Sequence, residues 1–86
     1  SDTLETDILT ETETRLAEYC TAQCRQQFGL DASVTVTLEK AGQQVVVKKV
    51  VAAFPAGCTV AQKQAALSFL QQTLGTAPTA AEGSTP

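Results

Sequence analysis

Residues 30–54, LDASVTVTLEKAGQQVVVKKVVAAF, hold the two segments on which any fold for this chain depends. The first half alternates strictly: Val34, Val36 and Leu38 fall on one side, Thr35, Thr37 and Glu39 on the other. A period of two is the pattern of a strand with one face buried and one wet, and it predicts a strand over 32–39. The next four residues, KAGQ (40–43), read as a tight turn in which Gly42 takes positive φ. A second strand over 44–54 then stops at FPAG, because Pro55 has no N–H to offer a ladder.

The second strand does not alternate cleanly. Val45 and Val47 share a face, and a shift of one residue at Lys48–Lys49 lets Val50, Ala52 and Phe54 continue it, as a β-bulge would. A regular strand would instead turn Val46, Lys48, Val50, Ala52 and Phe54 inward and leave Val45, Val47 and Val51 outward. In either register some valines lie off the buried face. Such a surface suits pairing with another subunit or extension of a sheet. The candidate interface is therefore Val45, Val46, Val47, Lys48, Lys49 and Val51, with Thr35 and Thr37 beside them.

Helical patterns flank the hairpin. Leu4, Ile8, Leu9, Thr12, Leu16, Tyr19, Cys20, Cys24 and Phe28 fall on or beside one stripe, predicting a helix over 4–28. Acidic residues crowd its front and Arg25 sits near its end, as the helix dipole favours. The Thr-rich TETETR segment is expected to fray, and the first two turns to project beyond the core. Gly29 is the expected left-handed cap, with Leu30 folding back on the last turn. After the hairpin, Thr59 and Gln62 have the form of a capping box that opens a second helix. Its face is Val60, Leu67, Leu70 and Leu74, widened by Ala66 and Phe69, and Gly75 ends it. Lys63 lies on that face, near enough to the start to keep its charge wet. The expected fold is α+β: a two-layer α-β-β-α sandwich, with an antiparallel hairpin packed under two helices. Residues 1–75 form the single domain, and 76–86, TAPTAAEGSTP, have the small, polar and Pro-rich make-up of a disordered tail.

Composition narrows the function. A 43% hydrophobic content with 17% charged residues belongs to a folded domain rather than a disordered one. The net charge of −3 leaves no basic footprint for a phosphate backbone, so nucleic acid is not an expected partner. The common Ser-His and Cys-His nucleophile pairs are excluded, because the chain has no histidine. Most carboxylates (Asp2, Glu5, Asp7, Glu11, Glu13, Glu18) lie along one exposed helical face, which reads as solvated acid rather than an acid–base pair. Nucleotide-binding and EF-hand patterns are absent, and the glycines sit where caps and turns want them. The domain is expected to be non-enzymatic and to need no cofactor.

Three cysteines, Cys20, Cys24 and Cys58, are too few for a four-ligand zinc site without histidine. Cys20 and Cys24, one helical turn apart, point the same way without easily reaching disulfide geometry. A bridge from either to Cys58 stays open, beside the reading of all three as buried thiols acting as small apolar residues. A thiol-based redox module is accordingly the alternative function, and a fragment of a larger protein a further one. No stretch approaches the ~20 apolar residues that span a bilayer. The chain opens on SDTLETD without an initiator Met, which reads as an excised piece from which any anchor or targeting segment has been cut away.

A helix ending in QQFGL, then ASVTVTLEKAGQQVVVKKVVAAF, then a helix ending in LQQTLG, resembles the soluble domain of the stage III sporulation protein AF family over roughly residues 10–75. That resemblance implies an extracytoplasmic domain, anchored by N-terminal membrane helices, in a multi-protein channel complex between mother cell and forespore. Its partners would be other protein subunits or copies of itself, and the membrane would be met only through a segment outside this sequence. The family is similar in fold to the ring-building motif of secretion systems, usually α-β-β-α-β. Here TAPTAAEGSTP stands where the third strand would be, so that strand is expected to be missing. The family brings no catalytic residues to transfer.

Overall fold

Strand β1 (Ser33–Ala41) pairs antiparallel with β2 (Gln44–Ala53) in the computed structural model, which describes residues 2–81. The loop between them is two residues, Gly42 and Gln43: it starts two residues later than the expected KAGQ turn and ends with it, because Lys40 and Ala41 stay in the ladder. Gly42 has φ 63° and is followed by a residue of negative φ, the combination of a type II′ hairpin loop.

The register settles how the untidy strand is built. Val34 stands opposite Ala52, Val36 opposite Val50 and Thr37 opposite Lys49, but Leu38 stands opposite Val47. Lys48 is therefore the extra residue of a β-bulge, and the regular-strand alternative does not occur. The bulge turns Val47 to the same side as Val50 and Ala52, facing Leu38, and throws the charged side chain at 48 out of the ladder. Without it, one lysine of the KK pair would have pointed into the apolar layer, at a cost in lost solvation.

Both helices lie on that side. Helix α1 (Asp2–Phe28) crosses β1, and α2 (Val60–Leu74) packs beside it. Cys20 and Cys24 of α1, Ala66 and Leu70 of α2, and Val36 and Val50 of the sheet close into one core, all 3% exposed or less. Phe28 and Phe69 meet edge to face at 6.1 Å and seal one end. The helix ends follow local chemistry. Gly29, at φ 62°, lets the Gly29 and Leu30 amides turn back onto the Arg25 and Cys24 carbonyls, which folds Leu30 into the core. Thr59 accepts from the Gln62 amide while the Gln62 side chain accepts from the Thr59 amide, completing the capping box. Gly75 closes α2 in the left-handed conformation.

Three expectations are corrected. Residues 76–81, read as part of a disordered tail, return along β2 and form a third strand, β3 (Thr79–Ala80), parallel to β2. The sheet order is β1-β2-β3, and the element order is α-β-β-α-β. Residues 82–86 of the expected tail lie outside the described residues. The first two turns of α1 project beyond the core as expected: Leu4 and Ile8 are 59% and 56% exposed, because α1 outruns the sheet that would cover them. Tyr19 and Val60 are also exposed: Tyr19 falls on the solvent side of α1, and Val60 precedes the first turn that reaches the core. The TETETR segment is helical, with the Thr12 and Thr14 hydroxyls donating back to the Ile8 and Thr10 carbonyls.

Candidate functional site

With both helices on one side, the opposite side of the sheet is bare among the described residues. It is built from the outward positions of each strand. Thr35 stands beside Val51, Thr37 beside Lys49 and Glu39 beside Val46, while Thr79 of β3 flanks Val51 from the other edge. Thr35, Lys48 and Lys49 are exposed, Thr37 and Val51 half-buried, and Val46 38% exposed. These short β-branched side chains make a flat surface, with positive charge concentrated at the bulge.

The bulge divides the candidate interface residues between two surfaces. Thr35, Thr37, Val46, Lys49 and Val51 share the open face, and Lys48 projects from the bulge beside them. Val47 belongs to the helix side, half-buried against the core. Val45 also lies on the helix side, across from Lys40, and is 54% exposed because only the first turns of α1 reach it. Thr79 was not foreseen on this face. Its only signal was a pair of threonines in a segment whose composition reads as tail.

Both edges of the sheet are occupied in part. Along β1, the Val34 amide donates to Thr21 Oγ1 at 3.1 Å, and the Leu38 amide to Glu13 Oε2 at 2.7 Å. These α1 side chains take up donors that would otherwise invite another strand, which blunts the edge. A groove of about 490 Å³, lined by Ala17, Thr21, Arg25 and Asp31 among others, runs between α1 and this edge. Along β2, the Thr76 hydroxyl donates to the Val47 carbonyl, the Thr79 hydroxyl to the Val50 carbonyl and the Ala81 amide to the Ala52 carbonyl. The open face of the sheet is therefore left more accessible than its edges.

Charge is unevenly divided. Helix α1 carries six of the nine carboxylates and two of the six cations, while the remainder carries three carboxylates and four lysines. The carboxylates are spread along α1 in structural contacts: Glu13 holds the Leu38 amide, Glu11 pairs with Arg15 at 2.7 Å and Glu5 with Lys40 at 3.3 Å. Off α1, Asp31 pairs with Arg25 at 3.4 Å. No group of three metal-ligating side chains gathers among the described residues. Cys20 and Cys24 are fully buried and free of disulfides. Loss of solvation raises both thiol pKa values, and the neighbouring Cys24 raises that of Cys20 further. Cys58, half-buried before α2, is likewise unbridged. A raised pKa leaves a buried thiol protonated and a poor nucleophile. Among the described residues no helix is long and apolar enough to cross a membrane.

Protein-family models, curated proteins and solved structures were all compared with the chain, and none of the three gave a match.

Proposed function

We propose that this chain is a non-enzymatic assembly domain, whose open sheet face packs against a neighbouring subunit. The observation that carries the proposal is the bare face itself: Thr35, Thr37, Val46, Lys49 and Val51 line one uncovered layer of a sheet whose other layer is closed by two helices. A β-rich face without a cover is a surface that natural proteins put to use. The resemblance to the stage III sporulation protein AF family extends the proposal to place. The domain would sit outside the cytoplasm, held by a membrane anchor elsewhere in its protein, within a channel complex between mother cell and forespore. The element order α-β-β-α-β, completed by β3, supports that extension, since it is the order the resemblance implies.

The first partner to consider is a second copy of the chain. Two lysine-bearing faces repel when laid on each other, whereas the acidic α1 of one copy and the basic sheet of another attract, so head-to-tail contact is favoured. The experiment is molar mass by light scattering across a concentration series. Mass rising above the 9.0 kDa of one chain, and restored to it by Val51→Glu, supports the proposal. A mass fixed at one chain, for the native protein and the variant alike, counts against it. A thiol-based module is the weaker reading, because two of its three sulfurs are sealed in the core.

A further inference from the structure

Along the β1 edge the backbone groups are unequally used. Val34, Val36 and Leu38 turn their amides and carbonyls away from β2, since the Val34 and Leu38 amides are the ones that meet α1. Thr21 and Glu13 take two of those three amides, while no donor among the described residues meets the Val34 or Val36 carbonyl. This stretch of edge is therefore richer in acceptors than in donors. The groove of about 490 Å³ beside it continues into a second of about 260 Å³, the two sharing Ala17, Glu18 and Val34. The second part reaches Thr35, so the groove opens onto the bare face of the sheet. Its walls are small and apolar, with Ala22 and Ala32 beside Ala17. Its charge is mostly negative. Glu18 lines both parts and has no ion-pair partner among the described residues, Glu13 is held by the Leu38 amide, and Arg25, the one cation of the lining, is paired with Asp31 at 3.4 Å.

The complementary feature lies on the same chain. Lys48 and Lys49 are exposed at the bulge, and neither meets a carboxylate among the described residues. We propose that the groove receives the bulge of a second copy, the stems of Lys48 and Lys49 lying along the alanine walls and their ammonium groups on Glu18 and the open carbonyls of β1. The proposal rests on the assembly reading above and gives it a seat on α1. Groove and bulge are different surfaces and each copy carries both, so the contact propagates head to tail instead of closing a two-fold pair. An added strand fits this edge less well, because Thr21 and Glu13 already hold the amides that it would need.

The test is a charge exchange, read as molar mass by light scattering, with folding checked by circular dichroism. One variant carries Glu18→Lys and the other Lys48→Glu with Lys49→Glu, all three at exposed positions. Each variant alone sets like charge against like charge and is expected to associate about tenfold more weakly than the native chain. Raising salt to about 0.5 M should weaken the native association in the same sense. An equimolar mixture of the two variants is expected to recover most of the native association, because each supplies the charge that the other lacks. Variants that associate as the native chain does, or a mixture no stronger than its components, would overturn the groove while leaving the open face to its own Val51→Glu test. A native chain that keeps the mass of one chain would overturn both.

Discussion

Replacing Val46, Val47 and Val50 one at a time by threonine tests the bulge, and with it the assignment of every side chain on β2 to a face. Threonine matches valine in shape and β-propensity, so the main change is a hydroxyl in place of a methyl. Val50 is 1% exposed beneath both helices, and a hydroxyl there without a partner costs about 2–3 kcal/mol. Val47 is half-buried against the same core, and about 1 kcal/mol is expected. Val46 stands on the open face, where the hydroxyl stays hydrated and the change falls within about 0.5 kcal/mol. A domain of this size has roughly 4–13 kcal/mol to lose, and each kcal/mol moves Tm by about 4–8 °C. Thermal melts followed by circular dichroism should therefore rank the losses Val50, then Val47, then Val46. An unbulged strand would have Val46 inward and Val47 outward. A larger loss at Val46 than at Val47 would refute the register.

Glu13→Ala removes the acceptor for the Leu38 amide and should cost about 1.5–3 kcal/mol, while Glu13→Gln, which keeps an acceptor, costs clearly less. Amide exchange at Leu38 should speed up in the first variant; equal melts and equal exchange would mean the 2.7 Å contact contributes nothing. Ending the chain at Gly75 removes the β3 ladder and, with it, the hydrogen bonds to the Val47, Val50 and Ala52 carbonyls, a loss of at least roughly 2–4 kcal/mol. It also bares the edge of β2, so a faster rise in light scattering on heating is expected. A colourimetric thiol reagent should find Cys58 first and reach Cys20 and Cys24 only as the chain unfolds; three equally fast thiols would contradict their burial. Because burial raises the pKa of Cys20 and Cys24, the unfolded chain gives up those protons first as pH climbs past the ordinary thiol value. Stability should be undiminished below that value and fall above it, which urea midpoints at pH 7 and above pH 9 would detect.

Much of the fold was legible because its signals are local. The capping box at Thr59 and Gln62, the left-handed caps at Gly29 and Gly75 and the alternation of β1 each fix backbone within a few residues of themselves. The bulge was legible only as one of two registers. Val46 and Val47 are chemically identical, and what separates them is the partner residue across the ladder, Glu39 or Leu38. Strand β3 was not legible: two residues joined by backbone bonds and threonine hydroxyls leave no hydrophobic period to read. A cleft at the hairpin's tip escaped for a different reason. Periodicity tells which side of α1 is apolar, and its length that the first two turns outrun the core, but neither sets Val45 against Ile8 and Leu9. Five of the eight candidate interface residues share the open face, with Lys48 at its border, because outward threonines and a lysine pair are visible as a pattern. Val45 and Val47 went to the other side through a one-residue shift.

The open face is tested most directly by a methyl and amide NMR dilution series of the unaltered chain. The account predicts that Val46, Val51, Thr35 and Thr37 shift together as concentration rises, while the core residues Val50 and Leu70 stay fixed. Spectra that do not change from micromolar to millimolar concentration, or changes that avoid these four residues, would contradict it.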